Sequence, residues 1–254
     1  MELTTLHLEE GINDQNILKA VLLAGGPGSG KSFVVKEVIG KSGPVTGLGV
    51  IAISSDEFFE RRLEKAQLPK LIDPKKPLLY AQQMQERDIA KAITTTKLQN
   101  VLNGMLPILI DGTGKSASKI IKQKIALEAI GYDVGMVFVN TSLKVALERN
   151  DKRTRTLSEK IVTDAWDDVQ RNKAAFKAAF GSNFIEVAND KFLEGSELQQ
   201  FKTKMFKAGK KFYEAPLKNK EGKVLLDIMD AVGAKTISDL QLKGREASVK
   251  GVGV

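Results

Sequence analysis

Residues 25–32 read Gly25-Gly26-Pro27-Gly28-Ser29-Gly30-Lys31-Ser32, and this stretch decides how the 254-residue chain folds. It matches the phosphate-loop pattern, in which a glycine is followed by four residues and then by Gly-Lys-Ser. The apolar run at residues 20–24 predicts a buried parallel strand, and residues 33–39 carry apolar side chains at helical spacing. A strand before the loop and a helix after it are the context in which this pattern marks a nucleotide-binding site.

The residue types of the loop suit an anionic ligand. Glycines let successive backbone N–H groups point into one concavity, and the following helix adds the positive end of its dipole. The Lys31 ammonium is expected to reach the outer phosphates, and the Ser32 hydroxyl to hold Mg²⁺. The alternative is a glycine-rich turn with a chance Gly-Lys-Ser. The residues expected to contact the triphosphate of ATP are Gly26, Pro27, Gly28, Ser29, Gly30, Lys31 and Ser32.

Composition narrows the possible classes of protein. The chain has no cysteine, which excludes disulfides and cysteine–metal sites and is typical of a reducing, cytoplasmic location. His7 is the only histidine, so histidine triads and multi-histidine metal sites are excluded. No apolar stretch approaches the roughly 20 residues of a membrane span, and the acidic start at Met1-Glu2 does not resemble a signal peptide.

The net charge is +8, and part of it is concentrated in one segment. Residues 201–223 contain eight lysines and only two acidic residues, Glu214 and Glu221. Such a stretch can attract nucleic acid or another anion. The alternative is an ordinary solvated helix face, because few aromatic residues are interleaved with the lysines.

Strands alternate with helices along most of the chain. Further strands are predicted at 50–53, 106–110, 134–139 and 184–187. Five strands in this arrangement predict an α/β fold with a parallel sheet covered by helices on both faces. We expect residues 1–190 to form the core, with a helical insertion on the acceptor side at 57–105, and residues 191–254 to form a small helical C-terminal appendage.

Two carboxylates follow predicted strands. Because ligands bind at the carboxyl ends of strands in parallel sheets, Asp56 and Asp111 are expected to face the phosphate loop. We interpret Asp56 as a base that accepts the proton of a hydroxyl group, with Arg61 on the acceptor side; the alternative role for Asp56 is a helix cap. Asp111 is expected to join Ser32 at the metal or to contact the acceptor.

Two short segments supply the remaining candidates. Thr113 and Lys115 follow Asp111 and are expected on the acceptor side, although this segment is also good material for a simple turn. Arg149, Arg153 and Arg155 lie in a basic turn, expected to form a lid over residues 149–158. Arginines that close over a phosphoryl group stabilise its transfer; the alternative is a solvated turn.

These pieces, in this order, resemble phosphate-loop kinases of the zeta-toxin and polynucleotide-kinase kind. The matching segments are 25–32, 51–56, 108–113 and 148–155, within residues 18–188. The resemblance implies an adenylate-kinase-like fold, Mg-ATP as the phosphate donor, Asp56 as the base and lid arginines on the phosphates. Asp111 and Lys115 stand where zeta toxins usually carry Glu and Arg.

The sequence therefore favours a kinase that transfers the γ-phosphate of ATP to a hydroxyl of a nucleic-acid 5′ end, a nucleotide or a nucleotide-sugar. A second hypothesis is a motor or switch ATPase in which the pair Asp56-Glu57 binds metal and activates water. A third is a nucleotide-binding assembly component without turnover, because a fold does not fix a function.

Overall fold

The computed structural model describes residues 16–39, 48–153, 156–191 and 193–251. His7 and Arg155 lie outside these ranges. Among the helices of the described ranges, none combines the length and the apolar character needed to cross a lipid bilayer.

The described part of the chain contains five strands, nine α-helices and a short 3-10 helix at Gly181–Asn183. The strands are β1 (Lys19–Ala24), β2 (Ile51–Ile53), β3 (Ile108–Asp111), β4 (Asp133–Asn140) and β5 (Phe184–Ala188). The helices are α1 (Lys31–Ile39), α2 (Asp56–Lys65), α3 (Pro77–Asn103), α4 (Ala117–Ala129), α5 (Leu143–Asp151), α6 (Glu159–Phe180), α7 (Gly195–Tyr213), α8 (Lys220–Val232) and α9 (Ile237–Gly251).

The strands form one parallel sheet in the order β2-β3-β1-β4-β5, which confirms the predicted fold class. The central strand β1 is buried along its whole length, as a strand covered by helices on both faces must be. Leu23 of β1 pairs with Asp111 of β3, and Ile53 of β2 pairs with Ile110. The carboxyl ends of these three strands therefore lie side by side, next to the phosphate loop that leaves β1.

The sheet separates two hydrophobic cores. One contains Leu22 of β1, Phe138 of β4 and Phe176 of α6. The other contains Val21, Leu23 and Val34, together with Met205 and Tyr213 of α7. A third, smaller cluster lies away from the sheet, between α2 and α3. This third cluster belongs to the segment predicted as the acceptor-side insertion.

Helix α7 packs against α1 and contributes to the second core. Phe201 stacks on Phe33 with 5.6 Å between ring centroids, and the buried Tyr213 hydroxyl donates to the Ile108 carbonyl at 2.9 Å. The chain after α7 is fixed at the opposite end of the sheet, where the backbone N–H of Asn219 donates to Asp133. Residues 191–254 stay a predicted C-terminal extension, but α7 shares a core with the sheet.

Most predicted boundaries agree with the structure to within about three residues, and two points differ. Helix α5 runs to Asp151, so Arg149 lies in its last turn and not in the basic turn. The helix continues because the Asn150 side chain is bonded to Leu157 and does not compete for the helix backbone. Helix α9 was not predicted; its acidic first turn carries Asp239, which accepts from the backbone N–H of Thr236 at 3.0 Å.

The packing of α7 gives a stability prediction. Met205 is 4% exposed and lies in the second core, so Met205→Ala should lower the free energy of unfolding by about 2–5 kcal/mol through lost burial and a residual cavity. The matched control is Lys207→Ala on the exposed face of the same helix, which should change it by less than about 0.5 kcal/mol. Urea denaturation measures both; equal effects of the two substitutions would contradict the packing described for α7.

Candidate active site at the carboxyl ends of the strands

The phosphate loop requires glycine at two positions. Gly28 and Gly30 have φ values of +75° and +84°, in the region that other residues rarely adopt. A Cβ at Gly28 would lie 2.1 Å from the Ala146 carbonyl oxygen, and one at Gly30 would lie 2.2 Å from Nδ2 of Asn189. Backbone conformation and close packing therefore impose the same residue type.

Residues that directly follow β4 and β5, together with side chains of α5 and α6, clamp the loop. The carbonyl oxygen of Ser29 accepts from Asn189 Nδ2 at 2.7 Å and lies 3.2 Å from the Thr141 hydroxyl. The Arg149 guanidinium donates to the Asn189 carbonyl at 2.7 Å, and Trp166 Nε1 donates to the Thr141 carbonyl at 2.6 Å. These bonds tie the loop to the segments that follow β4 and β5.

Two polar groups of the loop could each gain an interaction from a bound phosphate. The Ser29 hydroxyl is buried and has no hydrogen-bond partner. The Lys31 ammonium folds back and donates to the carbonyl oxygens of Gly25 and Gly26, at 2.7 and 3.2 Å. An anionic group in the loop could pair with both, since charge-assisted bonds to phosphate are stronger than bonds to a neutral carbonyl.

Ser54, Asp56 and Asp111 lie together at the ends of β2 and β3. The Ser54 hydroxyl donates to Asp111 Oδ2 at 3.3 Å and accepts from the backbone N–H of Asp56 at the same distance. Asp56 is the first residue of α2, and the residue at the N-cap is Ser55, whose side chain makes no capping bond. Asp56 therefore does not occupy the N-cap position that was the alternative to a functional role.

The electrostatics of Asp111 bring the loop and the strand ends into one site. Burial raises the pKa of its carboxyl, and the negative charge of Asp56 raises it further. Lys31, the Ser54 hydroxyl and Arg153 act in the opposite direction and lower this pKa, but burial is the largest effect. Charges from three separate segments thus converge on one half-buried carboxylate, as is common at functional sites.

One carboxylate oxygen of Asp111 has the surroundings expected of a cation ligand. Its Oδ1 atom is buried and has no hydrogen-bond partner. A buried carboxylate oxygen without a donor is costly unless a cation or a bound water satisfies it. Within the described ranges, no group of three or more His, Cys, Asp or Glu side chains could hold a metal by itself. One carboxylate and the Ser32 hydroxyl suit Mg²⁺, which is commonly held by few protein ligands together with substrate phosphates.

The other predicted site residues differ in how they are connected to the phosphate loop and to Asp111. Thr113 follows β3, and its carbonyl oxygen accepts from the Gly25 N–H at 3.1 Å, although its side chain is exposed. Lys115 is exposed in the same turn. Arg61 forms an exposed ion pair with Glu57 on α2. Arg149 donates to the Asn189 carbonyl, and the positive charge of Arg153 lowers the pKa of Asp111.

Three residues of the site were not predicted as functional. The position of Ser54 directly after β2 could have identified it. Thr141 and Asn189 directly follow β4 and β5, and no sequence motif marks them. Only the strand order β1-β4-β5 within the sheet brings them to the loop.

The conformation of Gly28 gives a prediction for ligand binding. Gly28→Ala should weaken the binding of ATP by about tenfold or more, because strain at positive φ costs about 1–3 kcal/mol and the new methyl meets backbone. Gly244→Ala is the control, since a Cβ there meets nothing within 4 Å. Titration with a fluorescent ATP analogue measures both affinities. Unchanged affinity of Gly28→Ala would contradict the close packing of the loop.

The half-buried Asp111 carboxyl gives a prediction for how stability depends on pH. The pKa of this carboxyl is raised in the folded state, so its ionised form destabilises the fold. This destabilisation is complete at pH values above the raised pKa and absent at pH values below the unfolded pKa of about 3.9. Without divalent cations or nucleotide, Asp111→Asn should therefore melt at a higher temperature than the wild type at pH 7.

The advantage of Asp111→Asn should shrink as the pH falls towards 4. Thermal melts by circular dichroism over this pH range measure it, with Asp227→Asn on the exposed side of α8 as the control. A lower melting temperature of Asp111→Asn at pH 7 would show that the carboxylate stabilises the empty site.

Comparisons with known proteins give the relatives of this chain. It is similar to a structure of the Pnkp1/Rnl/Hen1 RNA repair complex, with 17% identity, 65% of this chain and 48% of that chain covered, and a TM-score of 0.47. This chain therefore spans about half the length of that one. Shikimate kinase from Bacteroides thetaiotaomicron is 13% identical, with 74% and 96% covered and a TM-score of 0.44.

A structure of the PezAT chromosomal toxin–antitoxin system of Streptococcus pneumoniae is 16% identical, with 87% of this chain and 88% of that chain covered and a TM-score of 0.47. A search of curated proteins finds no significant match. The family model for zeta toxin matches residues 7–192, which include the phosphate loop, both strand-end aspartates and the arginine-bearing segment. This chain belongs to the zeta toxin family.

Proposed function

We propose that this protein transfers the γ-phosphate of Mg-ATP to a hydroxyl group of its acceptor. Family membership and the phosphate loop support the general class, a phosphate-loop phosphotransferase. The observation that carries the proposal is the convergence of Lys31, Asp56 and Asp111 at adjacent strand ends. A hydrolase for free nucleotide needs no second carboxylate beside an acceptor pocket, whereas a kinase needs one to orient and deprotonate the acceptor.

The loop residues bind the donor. Backbone N–H groups between Gly26 and Ser32 would bind the phosphate oxygens. On binding, the Lys31 ammonium exchanges its bonds to Gly25 and Gly26 for the outer phosphates. Mg²⁺ held by the Ser32 hydroxyl and by Asp111 would neutralise charge on the phosphates.

Asp56 acts on the acceptor. Its carboxylate takes the proton of the acceptor hydroxyl as the oxygen forms a bond to the γ-phosphorus and the bond from that phosphorus to ADP breaks. Such a base increases the rate by a factor of about 10²–10⁴. Arg153 lies near enough to Asp111 to lower its pKa, and its positive charge would stabilise the phosphoryl group during transfer.

The acceptor belongs to one of three classes, namely a nucleic-acid 5′ end, a nucleotide or a nucleotide-sugar. The helices α2 and α3 flank the crevice on the side of Asp56 and would shape its pocket. Lys204, Lys207 and Lys211 are exposed on α7 and offer positive charge to nucleic acid. They lie on the helix that covers α1, so any contact they make is separate from the pocket at α2.

The experiment is a transfer screen with ATP labelled at the γ-phosphate. It tests DNA and RNA with 5′-hydroxyl ends, nucleoside monophosphates and UDP-sugars. The proposal expects label on one of these classes. Release of label only as free phosphate, at the same rate with and without every acceptor, would favour a motor or switch ATPase instead.

The role of Asp56 gives a prediction for catalysis. Asp56→Asn should lower kcat for transfer by about 10²–10⁴, because the amide cannot accept the proton, while the affinity for ATP stays within about twofold. The control is Asp227→Asn, an exposed carboxylate on α8. Transfer kinetics and nucleotide titration measure the two quantities. Wild-type kcat in Asp56→Asn would remove the proposed base.

A further inference from the structure

Asn150 uses its side-chain amide as a backbone partner for Leu157. It is 1% exposed, at the end of α5. Its Nδ2 donates to the Leu157 carbonyl at 2.8 Å, and its Oδ1 accepts from the Leu157 N–H at 3.1 Å. Its own backbone carbonyl accepts from the N–H of Arg153 at 3.1 Å. One buried residue therefore fixes the backbone at Arg153 and also the chain that leads into α6.

Leu157 is in turn joined to the segment between α2 and α3. It forms a parallel β-bridge with Ile72, and the Ile72 N–H donates to the Thr156 carbonyl at 3.3 Å. The segment containing Ile72 is held by Gln83 of α3, which is fully buried and donates from Nε2 to the carbonyls of Pro69 and Leu71, at 2.7 and 2.9 Å. The segment that pairs with Leu157 through Ile72 is therefore held in place by α3.

A hydrophobic cluster completes the connection to Asp56. Phe59 and Leu63 of α2 pack with Ile72, and Leu157 packs against the same cluster. Asp56 begins α2, one helical turn before Phe59. The helix that carries the proposed base and the chain that follows Arg153 therefore share one small core, separate from the two cores of the sheet.

We propose that Asn150 is a positioning residue for Arg153, which it holds in the crevice in register with Asp56 and the acceptor-side helices. The inference rests on the proposed function, since it gives Arg153 a part in transfer. Its physical basis is the pair of hydrogen bonds between the Asn150 side chain and the backbone of Leu157. Without these two hydrogen bonds, Leu157 would still pack against the cluster at Ile72, but the backbone at Arg153 would no longer be connected to that cluster.

The inference predicts a split between kinetic constants. Asn150→Ala should lower kcat by about 100-fold, the order expected for a catalytic group displaced by about 1 Å. The KM for ATP should change by less than about threefold, because Gly28, Ser29 and Lys31 keep their contacts. Loss of stability alone would not produce this pattern at a temperature where the variant is folded.

The decisive experiment is a double-mutant cycle with Arg153→Ala. If Asn150 acts through Arg153, the double variant should be no slower than Arg153→Ala alone, within about threefold. Independent roles predict that the two losses in kcat multiply. Circular dichroism and thermal melts establish that each variant is folded at the assay temperature.

Asn219→Ala is the matched control. Its Nδ2 donates to the carbonyls of Glu128 and Tyr132, at 2.9 and 3.1 Å, and its Oδ1 accepts from the Gly222 N–H, at the other end of the sheet. It should lower the melting temperature and leave kcat within about twofold of the wild type, because its bonds are remote from the crevice.

A second variant covers the case in which Asn150→Ala does not fold. Asn150→Asp has nearly the same shape and keeps the acceptor for the Leu157 N–H, but it loses the donor to the Leu157 carbonyl. The same cycle then applies. Multiplying losses, or a normal kcat in a folded Asn150 variant, would overturn the inference and leave the proposed function standing. A wild-type protein that phosphorylates no acceptor would overturn both.

Discussion

The pairing of β1 with β3 continues beyond the ends of both strands, and the whole site depends on it. The Gly112 N–H donates to the Leu23 carbonyl and the Gly25 N–H donates to the Thr113 carbonyl, each at 3.1 Å. The phosphate loop therefore begins directly beside the residues that follow Asp111. A slip of one residue would turn every side chain of β3 to the other face of the sheet and remove the carboxylate from Lys31.

Two groups of the site lower the stability of the folded protein when no ligand is bound. The buried oxygen Oδ1 of Asp111 and the buried hydroxyl of Ser29 both lack hydrogen-bond partners, although most buried polar groups in proteins have one. Burial raises the pKa of Asp111, so its charge is unfavourable in the empty site. Ser29 belongs to the phosphate loop and Asp111 to the proposed metal site, and phosphates and a cation bound there would supply the missing interactions. Unsatisfied groups elsewhere, such as Oε1 of Gln83, have no such explanation from the proposed function.

The sequence predicted the parts of the fold that local chemistry determines. The loop could be recognised because its glycines are required by the backbone at Gly28 and Gly30, and the aspartates because each follows a strand. The clamp on the loop could not be predicted, since Asn189 reaches Ser29 only through the pairing of β5 with β4. The roles assigned to Asp56 and Arg153 stay predictions.

Helix α7 shows the same limit on a larger scale. Its lysines drew attention to a possible surface for anions, whereas its apolar face, with Phe201 and Met205, packs on α1 and the sheet. Helical spacing indicates that such a face is buried but does not say which element covers it. A partner distant in sequence, here Phe33, decides that, and only the tertiary structure identifies it.

The most direct measurement is a crystal structure of the protein with Mg²⁺ and a non-hydrolysable ATP analogue. The account predicts that the triphosphate lies in the loop, that Asp111 Oδ1 contacts Mg²⁺ or one of its waters, and that the Asp56 carboxylate points to the space beyond the γ-phosphate, where an acceptor hydroxyl would stand. A triphosphate bound elsewhere, or an Asp56 side chain directed away from the γ-phosphate and beyond hydrogen-bond reach of any acceptor, would contradict it.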